Sequence, residues 1–144
     1  MKNKIVARDV FKILENWAPK NYAYEWDNVG LQIGSDTKPV NKMMVTLDVL
    51  EPVVDEAIAN DIDLIIAHHP LLFIPLKDIN LNSPKGKVIE KLIKHDITVY
   101  AAHTNLDVTN GGVNDMLCDA LQIHSRKVLV DPQTEKLYKV VFYV

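Results

Sequence analysis

A single cysteine, Cys118, rules out an intrachain disulfide, so the fold must be held by its core and not by covalent staples. That thiol falls inside a predicted helix, Val113 to Leu121, and reads as an inert packed side chain. No stretch approaches the ~20 consecutive apolar residues of a transmembrane helix. The start, MKNKIVARDV, has no apolar run of signal-peptide length. Cationic clusters are missing too: 16 Lys and Arg stand against 19 Asp and Glu, for a net charge of −3. Such a balance carries no electrostatic footprint for nucleic acid. There is no internal repeat and no low-complexity linker. Together these absences point to a cytoplasmic protein with neither a membrane nor a nucleic-acid partner.

What is present is 144 residues, 48% hydrophobic and 24% charged, the size and composition of one soluble domain with a full core. Val10, Phe11, Leu14 and Trp17 recur at helical spacing, which predicts an amphipathic helix over about Ala7 to Trp17 that Pro19 stops. These four read as core packing. YEWDNVGLQIGS (Tyr24 to Ser35) reads as a loop entering a short strand. Lys42 to Asp48 is a strand, and EPVVDEAIAN a helix with Pro52 in its first turn. IDLIIA (Ile62 to Ala67) and ITVYAA (Ile97 to Ala102) are near-continuous apolar runs of strand length, as expected of strands covered on both faces. SPKGKVIEKLIKHD lies between them, with a Ser-Pro start and one apolar side formed by Val88, Ile89, Leu92 and Ile93, and is helical. NGGVNDMLCDALQI turns into a last helix, and LYKVVFYV closes the chain in a strand pattern. The alternation predicts an α/β fold with a mostly parallel sheet flanked by helices and right-handed crossovers.

Two of these strands run into metal-capable side chains. IDLIIA leads to His68-His69-Pro70, and ITVYAA leads to His103-Thr104-Asn105-Leu106-Asp107. Ligands of open parallel sheets bind beyond the carboxyl ends of the strands. The 34 residues from His69 to His103 are one crossover in length, so both groups reach the same rim. His, His and Asp offer mixed nitrogen and oxygen donors, a set that suits Zn²⁺, Fe²⁺, Mn²⁺ or Co²⁺ better than Ca²⁺ or Mg²⁺. On an extended backbone, adjacent histidine side chains diverge, so the pair could serve two neighbouring ions, with Asp107 binding one or bridging both. Two ions about 3.5–4 Å apart activate water for hydrolysis. The competing reading is a pair of hydrogen-bonded surface histidines.

The other candidates read more plainly. His95 ends a helix, where a cation suits the dipole, and His124 is solvated beyond the last helix. Asp48 could touch the rim, although a helix-start or loop hydrogen bond is the simpler expectation. Gly111-Gly112 could favour a phosphate through exposed N–H groups, but the stretch is too short for a P-loop and reads as a tight turn. LYKVVFYV stops on an apolar strand with no cap or polar tail, which suggests a fragment.

WDNVGLQIGS (Trp26 to Ser35), AHHPLLF (Ala67 to Phe73) and HTNLDVTNGGVND (His103 to Asp115) together resemble, in order and spacing, the Nif-three-like dinuclear-metal family. Its members are commonly described as homologues of a type-2 GTP cyclohydrolase I. The resemblance runs from about Asp9 to Asp115 or beyond. It implies two divalent ions held by His68, His69 and Asp107, with His103 close by for proton transfer and Trp26, Asp27 and Asn28 near the same cleft. It implies metal-dependent hydrolysis of a nucleotide or related heterocycle, or alternatively a non-catalytic metal-binding regulator or scaffold, or an inactive fragment. Ring-shaped homohexamers are implied as well. Family members carry a second α/β half with a His and a Glu four residues apart, a pattern that this sequence lacks. The expected division is therefore an N-terminal metal-binding half over 1–136, with 137–144 as the first strand of an inserted ferredoxin-like domain. Ile74 stands where many members have a basic or polar residue, which argues against an anionic-substrate contact from that position.

Overall fold

The computed structural model describes residues 4–128. The strand pattern at 137–144 and the domain boundary at 136 lie outside the described residues.

Four short strands form one sheet in the order β1-β4-β3-β2. They are β1 (Gly30–Ile33), β2 (Met43–Thr46), β3 (Leu64–Ala67) and β4 (Thr98–Ala101). Strands β2, β3 and β4 are parallel, and β1 joins the β4 edge antiparallel, with Gly30 opposite Ala101. Three longer helices are α1 (Ala7–Trp17), α2 (Glu51–Ala59) and α3 (Pro84–Lys94), followed by two shorter ones, α4 (Thr104–Val108) and α5 (Val113–Ala120).

The two central strands are buried at every position, as their unbroken apolar runs require. Alternation along β3 divides the core. Ile65 and Ala67 pack with Val54 and Ala57 of α2, Val88 and Leu92 of α3, and Val99 of β4. Leu64 and Ile66 face the other way, onto Ala7 and Phe11 of α1 and onto Tyr100. The Phe11 and Tyr100 rings stack with centroids 4.4 Å apart. Each such fully buried aliphatic or aromatic side chain contributes about 1.5–3 kcal/mol, enough for this three-layer core to hold the strand ends rigidly.

Helix α3 starts where Ser83 accepts a hydrogen bond from Gly86 N at 3.0 Å, with Pro84 at the first helical position. It ends with His95 as its C-cap. Helix α2 begins after Leu50, which provides no side-chain cap, so Asp48 is not a helix-start residue. Gly111 adopts φ +70° and Gly112 caps the N-terminus of α5, the tight turn expected there. Trp17 departs from the core expectation. It is 49% exposed, and its indole N–H donates to Asn110 O at 3.0 Å. Cys118 is half-buried, less packed than its helical position suggested.

Candidate metal centre

The sheet register continues past β3 long enough to aim both histidines at the rim. His68 N donates to Thr46 O and His69 N donates to Leu47 O, while Ala102 N donates to Ala67 O across β4. The chain then leaves the strand, and the two rings do not diverge as extended backbone would make them. Their centroids lie 5.2 Å apart. His103, at the end of β4, completes the group, 5.2 Å from His68 and 5.7 Å from His69. One ring nitrogen of each of the three lies within 4.8 Å of the others.

Every ring is anchored through Nδ1. His68 Nδ1 meets Ala102 O at 2.9 Å, His69 Nδ1 meets Asp48 Oδ1 at 2.8 Å, and His103 Nδ1 meets Asp27 Oδ1 at 2.9 Å. A backbone carbonyl and two ionised carboxylates can only accept, so Nδ1 carries the proton in all three rings. A neutral ring anchored in this way keeps its lone pair on Nε2. This is the arrangement that fixes tautomer and orientation in metal-ligating histidines. Asp107 adds an oxygen: its Oδ1 lies 3.4 Å from His68 Nε2. With Nδ1 protonated, those two atoms are both acceptors, and facing acceptors repel unless a proton or metal cation lies between them. The residues present therefore fit a divalent cation, and their nitrogen and oxygen donors match the Zn, Fe, Mn and Co class.

The supporting shell is itself held by local structure. Asp107 N donates to His103 O in the single turn of α4, which brings the carboxylate back over the rim. Buried Asn105 donates from Nδ2 to Ala18 O at 2.8 Å and accepts from His103 N at 3.0 Å, tying the rim to the end of α1. Asp27 has a fully buried side chain. It accepts from Asn28 N at 2.8 Å and from Thr104 N at 3.1 Å, and also from the Thr104 hydroxyl. Burial pushes its carboxyl upward, but the hydrogen bonds from Thr104, His103 and the backbone outweigh it and hold the group below the ordinary carboxylate range.

The geometry thus brings His68, His69, His103 and Asp107 together. His95 and His124 take no part in the described cluster; His95 stands at the end of α3 and His124 is exposed. Asp48, expected as a loop or helix-start residue, orients His69 instead. Asp27 had no role assigned and proves to orient His103.

Comparison with known proteins finds relatives over nearly the whole chain. The family model described as "Duf34/NIF3 (NGG1p interacting factor 3)" matches residues 5–141. A Bacillus subtilis (strain 168) protein named "GTP cyclohydrolase 1 type 2 homolog" is 51% identical over 144 residues, all of this chain and 39% of that protein. A Listeria innocua protein of the same name is 54% identical over 132 residues, 92% of this chain and 35% of that protein. Among solved structures, a Bacillus cereus protein related to NIF3 superimposes with a TM-score of 0.85 at 50% identity, covering 88% of this chain and 35% of that one. Reduced HcgD from Methanocaldococcus jannaschii gives a TM-score of 0.83 at 34% identity, with 90% and 52% covered. The chain spans little more than a third of the length of the two named relatives.

Proposed function

The chain belongs to the Duf34/NIF3 family, and from that premise we propose that its rim holds divalent metal ions and that the whole protein uses them to hydrolyse a nucleotide or related heterocycle. The observation that carries the metal reading is the set of three imidazoles whose Nδ1 atoms are all taken by oxygen acceptors, beside a carboxylate that faces a lone pair. His68, His69 and Asp107 are the ligands proposed for two ions. Bound there, a divalent ion supplies an activated water near neutral pH and polarises the bond under attack.

The chain's own residues divide the remaining work. Asp27 keeps the His103 proton on Nδ1, so that Nε2 is free to accept a proton from the reacting water and later return it. The imidazolium formed on the way is stabilised by the same carboxylate. Asp48 holds the His69 ring by the same bond. The nucleotide class is supported by the name that the bacterial relatives bear, "GTP cyclohydrolase 1 type 2 homolog". In this reading the protein acts in the cytoplasm as a ring-shaped homohexamer.

One observation favours a second reading. Two imidazoles and one carboxylate, shared between two ions, leave each with at most two protein ligands, fewer than the three usual at a catalytic zinc. The 144-residue chain alone would then be a weak metal binder without turnover, or a metal-binding regulator or scaffold. Calorimetric titration with Zn²⁺ or Mn²⁺, followed by turnover against a nucleotide panel, separates these. Weak binding with one ion favoured over two, and little turnover, is expected of the 144 residues. No saturable binding at all would remove the metal reading.

A further inference from the structure

Three aromatic side chains stand beside the histidine cluster and belong to neither half of the core. Tyr24, Trp26 and Phe73 are 52%, 60% and 45% exposed. Large aromatic surface left side by side in water marks a place where something binds. Tyr24 and Trp26 stack almost parallel, 11° between planes with centroids 5.3 Å apart. Phe73 stands at 81° to Trp26 with centroids 5.9 Å apart, and at 84° to His103 with centroids 6.1 Å apart. The aromatic surface therefore runs without a break from Trp26 to a ring of the histidine cluster.

Backbone anchors hold this surface in place. Tyr24 N donates to Thr104 Oγ1 at 3.2 Å, and Asp27, next to Trp26, is bonded to His103. Asn28 Nδ2 donates to Leu72 O at 2.7 Å, and Leu72 N donates to Gln32 Oε1 at 3.1 Å. The two turns that present Trp26 and Phe73 are thus pinned to each other and to the rim. A surface ordered in advance loses little entropy on binding.

We propose that Trp26, backed by Tyr24 and edged by Phe73, is a ring-binding subsite that stacks the planar heteroaromatic ring of a ligand whose oxyanion reaches the histidine cluster. The oxyanion end rests on the metal-centre reading; the ring end does not. A flat ring fits because the Trp26 indole, stacked on Tyr24 and met by Phe73 at nearly a right angle, still leaves 60% of the residue exposed. π-face stacking is worth tenfold to hundredfold in affinity, at about the level seen for single bases on aromatic platforms. A ligand with both a flat ring and an oxyanion uses the whole path from Trp26 to His103.

The test uses a Trp17→Phe background, which leaves Trp26 as the sole indole of the two tryptophans. Guanosine 5′-monophosphate should quench Trp26 saturably in the zinc-loaded chain, whereas ribose 5-phosphate, with the same phosphate and no aromatic ring, should not. By equilibrium dialysis, Trp26→Ala should weaken guanosine 5′-monophosphate about tenfold to hundredfold while ribose 5-phosphate and Zn²⁺ binding stay unchanged, and Trp26→Phe should recover most of the loss. Guanosine without zinc should still quench, so the ring subsite stands or falls separately from the metal centre. Absence of quenching by both guanosine and its monophosphate overturns the proposal. So does equal nucleotide binding by Trp26→Ala and wild type, or a parallel loss of Zn²⁺ binding that would make Trp26 structural. A Trp26→Ala chain with altered oligomeric state and unaltered nucleotide binding would assign the aromatic surface to a second copy instead.

Discussion

Replacing Asp27 by asparagine separates position from charge at the rim. The two side chains have the same shape, but one oxygen becomes an NH₂ donor. If that NH₂ takes the Oδ2 place, it confronts the backbone N–H and hydroxyl of Thr104, and buried donors face donors. If it takes the Oδ1 place, it confronts Asn28 N and His103 Nδ1. His103 can then answer by moving its proton to Nε2, which turns Nδ1 into an acceptor but closes the lone pair that would take the proton of the reacting water. In one orientation the part-buried Thr104 N loses its partner, and in the other the exposed Asn28 N does, at up to about 1–3 kcal/mol. A lost orienting partner typically lowers activity by about 10–100-fold. Asp27→Asn is therefore expected to unfold earlier in denaturant by about 1–3 kcal/mol and, in the full-length protein, to turn over its substrate at least about tenfold more slowly, with zinc affinity by calorimetry nearly unchanged. Asp27→Glu, which restores the charge at the wrong length, should recover little of either. An asparagine variant with wild-type turnover and stability would refute the orienting role and, with it, the assignment of the His103 proton to Nδ1.

The remaining predictions are more local. His68→Ala and Asp107→Ala should each reduce zinc binding, whereas His95→Ala and His124→Ala should leave the titration unchanged; equal losses from all four would mean that the histidines bind metal without forming a site. Asp63 is partly desolvated, which pushes its carboxyl up, but hydrogen bonds from Asn41 N and Lys42 N prevail and hold it below the ordinary carboxylate range. Its stabilisation is thus present above the unfolded-state value of about 3.9 and lost as pH falls through the lower folded value, so Asp63→Asn should flatten the acid limb of stability measured by denaturant unfolding between about pH 5 and pH 2. Gly34 sits at φ +94°, and a Cβ there would come within 2.8 Å of Thr98 Cα; Gly34→Ala should cost more than about 2 kcal/mol of unfolding free energy, and a loss below ~0.5 kcal/mol would show that β1 can shift away from β4.

The parallel core was legible because burial on both faces leaves a plain mark. LIIA and TVYA are apolar throughout except for Thr98, the helix between them buries Val88, Ile89 and Leu92 while leaving Ile93 of its expected apolar side exposed, and Ser83-Pro84 starts α3 where the sequence indicated. Short elements left weaker marks. Helix α4 is a single turn whose N-cap, His103, makes no side-chain cap, so no start signal announces it. The exposure of Trp17 escaped for a different reason. Helical spacing tells which residues share a face, but not how far along that face the sheet extends to cover them.

The histidines and Asp107 were legible as a rim because each follows a buried parallel strand, and parallel strands deliver their carboxyl ends to one side. The same rule reaches Asp48, two residues beyond β2, since β2 is parallel to β3; its neighbourhood to His69 was recoverable from topology once Thr46 and Ala67 were put in register. Asp27 is of another kind. It precedes β1, and a residue before a strand parallel to the others would lie at the opposite end of the sheet, far from the histidines. It reaches the rim only because β1 runs antiparallel to β4, so that the start of β1 at Gly30 meets the end of β4 at Ala101. Nothing within GLQI states that direction. Gly30 and Gly34, with φ of +102° and +94°, let the chain turn sharply at both ends of the strand, but glycine permits a turn without saying which way it goes. The orientation of one edge strand thus decides whether His103 has a carboxylate behind it, and with it where that ring holds its proton.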